Sequence, residues 1–192
     1  MISARRIIAA LLPVLLLFSC LPTTAATFVK APGRAGSIVI SVSGELAAGD
    51  ENRFVQTAGT VTHGVVLFDS PGGNLFVGIE IGEVIHFKHF GTLVPNGSTC
   101  ASACALAWLG GARRLIGATG RIGFHEPYTR NSGAVSVSAS GNALVRAYLN
   151  ELGLSAVAIQ YITETPPEKM KWLGFLEARH VGIEVRRAGQ PP

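Results

Sequence analysis

Charge is scarce in this chain. Only 15% of its residues are Asp, Glu, Lys or Arg, and there are just two aspartates, Asp50 and Asp69. A chain so poor in basic clusters is no electrostatic nucleic-acid binder, because such a protein must offer grouped Lys and Arg to the phosphates. Aromatic residues are also few, at 7%. Cysteine is nearly absent, with Cys20, Cys100 and Cys104 the only three, so no second pair exists to complete a structural zinc site. No run of twenty apolar residues crosses the sequence, so a confident membrane span is missing too. What is abundant is apolar and small: 48% hydrophobic residues and 23 glycines. That composition supports a sizeable core with many tight backbone positions and argues against disorder.

The N-terminal segment stands apart. Arg5 and Arg6 precede an apolar stretch from Ile7 to Leu21, broken by Pro13 and Ser19, and "PTTAA" follows. Basic, then apolar, then small is the order of a secretory signal peptide. We therefore expect residues 1–26 to be a leader, cleaved after Ala25 or Ala26, and 27–192 to form a single domain located in the periplasm or secreted. "LFSC", Leu17 to Cys20, also resembles a lipobox, and lipidation at Cys20 would be the one route to a membrane anchor. The leader takes two arginines and no acid with it, so the formal charge falls from +4 to +2.

Along the mature chain, short apolar runs alternate with helical patterns. "SIVISVSG" reads as a strand ending in a glycine turn, and "AGDENRFVQTAG" as a short helix with Asp50 near its start. "HGVVLFDSPGG" is an apolar strand running into a break. "NLFVGIEIGEVIHFKHFG" carries Phe76, Ile79, Val84 and Phe87 at helical spacing, opened by Asn74. "TLVP" is a short strand, and "ASACALAWLGG" a buried helix closing on two glycines. "RRLIGATGRIGFHEP" gives two strands around a glycine turn. The Ser/Gly/Ala-rich segment from Asn131 to Gly141 reads as a mobile excursion. "NALVRAYLNELG" and "SAVAIQYITE" read as helices, and "PPEKMKWL" as a further helix with prolines in its first turn. "LEARHVGIEVR" is a helix passing into a strand. Trp108 and Trp172 are assigned to the core, and His86 and His89 to the surface of one helix. This alternation predicts an α/β fold with mainly parallel strands.

Three stretches carry chemistry. "DSPGG" ends a strand in glycines able to present bare amides. "CASAC" sets Ser102 where a strand yields to a helix. "GRIGFHEP" ends a strand on His125, just before a proline. Strand ends of an α/β sheet gather at one edge, so the three could share a crevice. A serine hydroxyl is a weak nucleophile that needs a base in reach, imidazole titrates near neutrality, and a developing oxyanion needs fixed N–H donors. For Cys100 and Cys104, a disulfide is the first reading, given an oxidising compartment and a spacing that reaches bridging distance. Two buried thiols are the second. We expect no metal and no cofactor.

The order "DSPGG", "CASAC", "IGFHEP" resembles the Clp protease proteolytic subunit and signal peptide peptidase A, which share the ClpP/crotonase fold of repeated β-β-α and βαβ units. The Cys-Ala-Ser-Ala-Cys wording is closest to a set of exported bacterial Clp-like proteins. The resemblance spans about Ser37 to Val185. It implies a serine peptidase in which Ser102 is the nucleophile, His125 the base, and the amides of Gly73 and Ala103 the oxyanion donors. It implies a peptide or protein substrate and a homo-oligomer. The orienting aspartate of the Clp peptidase falls on Met170 here, so Glu168, two residues away, is the candidate orienting acid; otherwise the pair is a dyad. Signal peptide peptidase A instead employs a lysine base, for which Lys88, Lys169 and Lys171 are candidates. The segment after His125 is short and lacks the long helix through which Clp rings stack. Two further readings remain: a catalytically silent module that binds an extended peptide, and a crotonase-type thioester enzyme, for which no acid pair or cofactor signature is present.

Overall fold

The computed structural model describes residues 25–189. The expected leader up to Thr24, with Cys20 in it, lies outside the described residues.

A run of β-branched residues with period-two burial builds the first long strand, β2 (Ile38–Ser43), with Ile40 and Val42 turned into the core. On one side it pairs antiparallel with β1 (Thr27–Pro32). On the other it pairs in parallel with β3 (Gly64–Asp69). The sheet continues in parallel through β4 (Gly91–Val94), β6 (Arg113–Ile116) and β11 (Arg186–Arg187), giving the order β1-β2-β3-β4-β6-β11. A second, three-stranded sheet has the order β10-β7-β5, from β5 (Thr99–Ala101), β7 (Arg121–Phe124) and β10 (Lys171–Leu173). The fold is the expected ClpP-like α/β arrangement with mostly parallel strands and, among the described residues, six α-helices.

Those helices are α1 (Asp50–Ala58), α2 (Leu75–Phe87), α3 (Ala103–Leu109), α4 (Ala139–Glu151), α5 (Ala156–Thr163) and α6 (Phe175–Val181). Each of α2, α4 and α5 begins at a side-chain cap. Asn74 Oδ1 accepts from the amides of Phe76 and Val77, Ser138 Oγ from Gly141, and Ser155 Oγ from Ala158. All seven residues of α3 are buried, so this helix is the centre of the core rather than its cover.

Helix α2 packs on α3 through glycines. A side chain at Gly78 would strike the backbone of Ala103, and one at Gly110 the backbone of Gly82. Tyr148 fills the space beside Gly82 and donates its hydroxyl to the Leu106 carbonyl at 3.1 Å. Burial pushes the Tyr148 hydroxyl pKa far up, so it stays a neutral donor. This contact corrects the expected stripe on α2. Ile79 is buried, but the buried face is Val77, Gly78, Ile79, Ile81, Gly82 and Ile85, whereas Phe76 and Phe87 are 64% and 84% exposed. Close helix approach selects the face with glycines, not the one with the largest apolar residues.

Three further expectations are corrected. The segment "PPEKMKWL" forms a turn and then β10, because its end pairs antiparallel with β7. The stretch around Asn131 is a hairpin of β8 (Tyr128–Asn131) and β9 (Ala134–Val137), whose central Ser132 and Gly133 both have positive φ, as a two-residue hairpin loop requires. Strands β6 and β7 flank a glycine turn as expected, and they part into the two sheets. Trp108 is fully buried as expected, but Trp172 is 38% exposed, with the Arg121 guanidinium 3.8 Å from its ring centre.

Candidate active site

Backbone hydrogen bonds draw the three motifs together. The Ser70 amide, just past β3, donates to the Thr99 carbonyl at 2.7 Å, and the Ala101 amide donates back to Ser70 at 3.1 Å. The Thr99 amide donates to Asp69 Oδ1 at 3.0 Å. The Ser102 amide donates to the Gly123 carbonyl at 2.8 Å. The turn after β3, the end of β5 and the end of β7 therefore meet at one point, where the two sheets join.

Ser102 makes the turn from β5 into α3 with φ 55° and ψ −126°. A non-glycine residue in that region costs on the order of 1–3 kcal/mol and persists only where its surroundings hold it. Here they do: its amide is held by Gly123, its carbonyl accepts from Ala105 at 2.9 Å, and a Cys100–Cys104 disulfide with Cα atoms 5.2 Å apart closes the turn around it. A sharp strand-to-helix turn of this kind puts the hydroxyl at the surface of the sheet end rather than inside it. The disulfide is the first of the two readings of these cysteines.

The DSPGG turn lies directly against this serine. Ser70 Oγ is buried and accepts from the Gly72 amide at 3.1 Å. Gly72 has φ 96°, and a Cβ there would sit 2.8 Å from Ser102 Cβ and 2.9 Å from the Ala103 nitrogen. Gly73, with φ 136°, is exposed. Among the described residues, neither the Gly73 amide nor the Ala103 amide, the first of α3, has a hydrogen-bond acceptor. Two residues with unspent amide donors thus line the same cleft as Ser102.

His125 follows β7, half-buried. Its Nδ1 is 2.8 Å from the Glu126 carbonyl oxygen, so Nδ1–H donates and Nε2 is left as an acceptor. Glu126 is itself anchored. The Glu126 amide donates to Thr165 at 2.7 Å, and its carboxylate accepts from Asn142 Nδ2 at 2.9 Å. The Tyr128 ring lies 5.6 Å from the imidazole, centre to centre.

Ser102, Ala103, Gly72, Gly73 and His125 all line one cleft of about 1000 Å³. Its apolar wall comes from Leu75, Phe76, Leu106, Leu144, Val145 and Ile162, and Glu45 and Arg130 are its charged members. The structure does not bring Glu168 into this group: it is exposed in the turn before β10 and is not among the cleft residues. Met170, one position beyond the Lys171–Phe124 pair, lies against Gly123 and offers no carboxylate. None of the three lysines lines the cleft either. Lys88 donates to the carbonyls of Gly59 and Val61, Lys171 lies over the Tyr161 ring, and Lys169 is exposed. Among the described residues no group of three His, Cys, Asp or Glu side chains could hold a metal, and no helix is long and apolar enough to cross a membrane.

Sequence reasoning missed Glu126, Asn142 and the hairpin residues Tyr128 and Arg130. The dipeptide Ser132-Gly133 after "YTRN" was the available signal for the hairpin that carries the last two.

The disulfide has a measurable consequence. Alkylation of the denatured, unreduced mature protein should leave Cys100 and Cys104 unmodified. Replacing both by alanine should lower stability only modestly, since so short a loop contributes little chain entropy. It should nonetheless slow any reaction of the Ser102 hydroxyl by roughly tenfold, because the turn can then relax out of its positive φ.

No family model matches the chain, and no curated protein matches it. Among solved structures it is similar to the 1510-N membrane-bound stomatin-specific protease. The serine-to-alanine mutant of that protein is 18% identical with a TM-score of 0.60, covering 78% of each chain. Its lysine-to-alanine mutant, in complex with a substrate peptide, is 19% identical with a TM-score of 0.60, covering 78% of this chain and 74% of that one. The shared property is the fold.

Proposed function

We propose that this chain is an exported serine peptidase of the ClpP-like fold that cleaves peptides through a Ser102–His125 pair. The observation that carries the reading is Ser102 held at positive φ in the cleft that His125 also lines, together with Gly73 and Ala103, whose amides are unspent. Nε2 of His125 accepts the Ser102 proton as Oγ attacks the scissile carbonyl carbon. The two amides take up the negative charge on the carbonyl oxygen. When the tetrahedral intermediate collapses, His125 returns the proton to the leaving amine, and an ester to Ser102 remains. Water, activated by His125, then releases the acid and frees Oγ. The Glu126 carbonyl holds the imidazole in the tautomer this sequence needs, but it brings no negative charge to stabilise the imidazolium. No step calls for a cofactor. Export agrees with the leader pattern and with a disulfide inside the core. A solved neighbour carrying a substrate peptide makes an extended peptide the natural occupant of a cleft with one apolar wall.

One observation favours a silent peptide-binding module instead: among the described residues no carboxylate is bonded to His125. Labelling of the purified mature protein with a fluorophosphonate probe separates the two. Labelling that disappears in Ser102→Ala supports the peptidase; no labelling and no turnover of any peptide or ester rejects it.

A further inference from the structure

The start of the described chain is not a loose end. Ala26 is fully buried, and its nitrogen lies 3.0 Å from Asp50 Oδ2. Asp50 is 1% exposed. The same oxygen accepts from the Ala47 amide at 2.9 Å, and Oδ1 accepts from Arg53 Nη1 at 2.6 Å. Arg53 keeps about half of its side chain in solvent and lies over the Phe28 ring. Asp50 therefore turns one carboxylate oxygen inward, towards the backbone nitrogen of a residue at the expected leader junction.

That nitrogen changes character when the leader leaves. Hydrolysis of the Ala25–Ala26 peptide bond consumes one water, leaves a carboxylate on Ala25, and leaves an ammonium on Ala26. Cleavage one bond later would remove the buried methyl of Ala26 and one of the two donors to Oδ2. A buried carboxylate that loses a partner is costly, whereas one that gains a cation at hydrogen-bond distance is stabilised.

The position matters because the next residues reach the cleft. Ala47, bonded to Asp50, follows Leu46. The Leu46 amide donates to the Gly72 carbonyl at 2.7 Å, and the Leu46 carbonyl accepts from the Asn74 amide at 2.8 Å. A side chain at Gly73 would strike Leu46. Leu46 thus braces both sides of the turn that presents the Gly73 amide.

We propose that Asp50 is the binding site for the Ala26 ammonium created by leader removal, and that this ion pair sets the Leu46 brace on the Gly72–Gly73 turn. The part concerning activity rests on the peptidase reading above; the ion pair does not. The test uses the full precursor exported from a bacterial host. Intact mass and N-terminal sequencing should place the mature start at Ala26. Under native conditions the Ala26 amine should acylate with an N-hydroxysuccinimide ester roughly tenfold or more slowly than in the denatured protein, and Asp50→Asn should abolish that protection. A second form, with one glycine inserted between Ala25 and Ala26 and its start verified by mass, keeps Asp50 but moves the amine. It should melt about 5–10 °C lower than the wild type and label with fluorophosphonate about tenfold more slowly. A mature start at Thr27 or Cys20, or an Ala26 amine as reactive as in the denatured chain, overturns the proposal. Should Asp50→Asn fail to fold, the wild-type protection and the glycine-inserted form still decide. If the wild type never labels while the amine is protected, the peptidase reading falls and the ion pair stands.

Discussion

Ser102→Ala will bring turnover of a cleavable ester or peptide down to the uncatalysed background seen without Oγ, and fluorophosphonate labelling will vanish with it. His125→Ala should lose a comparable factor, since neither partner of a nucleophile–base pair works without the other. The absolute rate of the wild type should be low. In a serine protease with a full triad, exchanging the orienting carboxylate for an amide costs about 10⁴ in turnover. Here the Nδ1 partner is the neutral Glu126 carbonyl, so the imidazolium formed during attack lacks a counter-charge. Glu168→Gln should change the rate by less than about twofold, because its exposed side chain is not part of the cleft. A large loss there would mean that Glu168 reaches the imidazole during the reaction. Met170→Asp sets a carboxylate one residue past the Lys171–Phe124 pair, at the position the register continues opposite His125, and should raise turnover by about tenfold or more. Steady-state rates of the four variants, with circular dichroism to confirm folding, check the set.

The second large effect is expected at Gly72. An alanine there must adopt φ 96° and place its Cβ 2.5 Å from the Ala101 carbonyl oxygen and 2.8 Å from Ser102 Cβ. Neither backbone can yield cheaply, because the Ala101 amide and the Ser102 amide are both tied into the junction of the two sheets. The turn must retreat from Ser102 and take the Gly73 amide with it. Loss of one oxyanion donor costs about 10²–10³ in rate. The strain should add roughly 1–3 kcal/mol of destabilisation. Gly97→Ala is the matched control. It also has positive φ, at 78°, but no atom stands within 4 Å of its Cβ. It should lose about 1–2 kcal/mol of stability and no activity. Equal rates in the two variants would show that the close approach of Gly72 to Ser102 is without consequence.

The amino-acid order alone determined several features, because they depend on local chemistry. Alternating apolar and small polar residues made β2, and a short apolar run made β3. Asn74 and Ser155, with oxygens free to accept from the first turn, set the starts of α2 and α5. The small residues around Ser102 allowed the tight turn that a bridge between Cys100 and Cys104 closes. The three motifs, through the resemblance that their order carries, pointed to Ser102, His125, Gly73 and Ala103, and all four line one cleft.

Other features were decided only when distant segments met. Gly78, Gly82 and Gly110 outrank Phe76 and Phe87 in choosing the buried face of α2, since van der Waals contact between two helix backbones exists only once the helices cross. The helix predicted for "PPEKMKWL" gave way to β10 because β7, distant in the chain, offers it an antiparallel partner from Lys171↔Phe124 to Leu173↔Ile122. The partner of His125 is the main-chain carbonyl of Glu126, whose amide is tied to Thr165 and whose carboxylate is tied to Asn142, and side-chain identity carries no sign of a backbone acceptor. Asp50 looks in the sequence like an ordinary acidic residue at a helix start. Its burial against Ala26 follows from β1 folding back along β2, a pairing fixed by hydrogen bonds across the sheet rather than by anything within either segment.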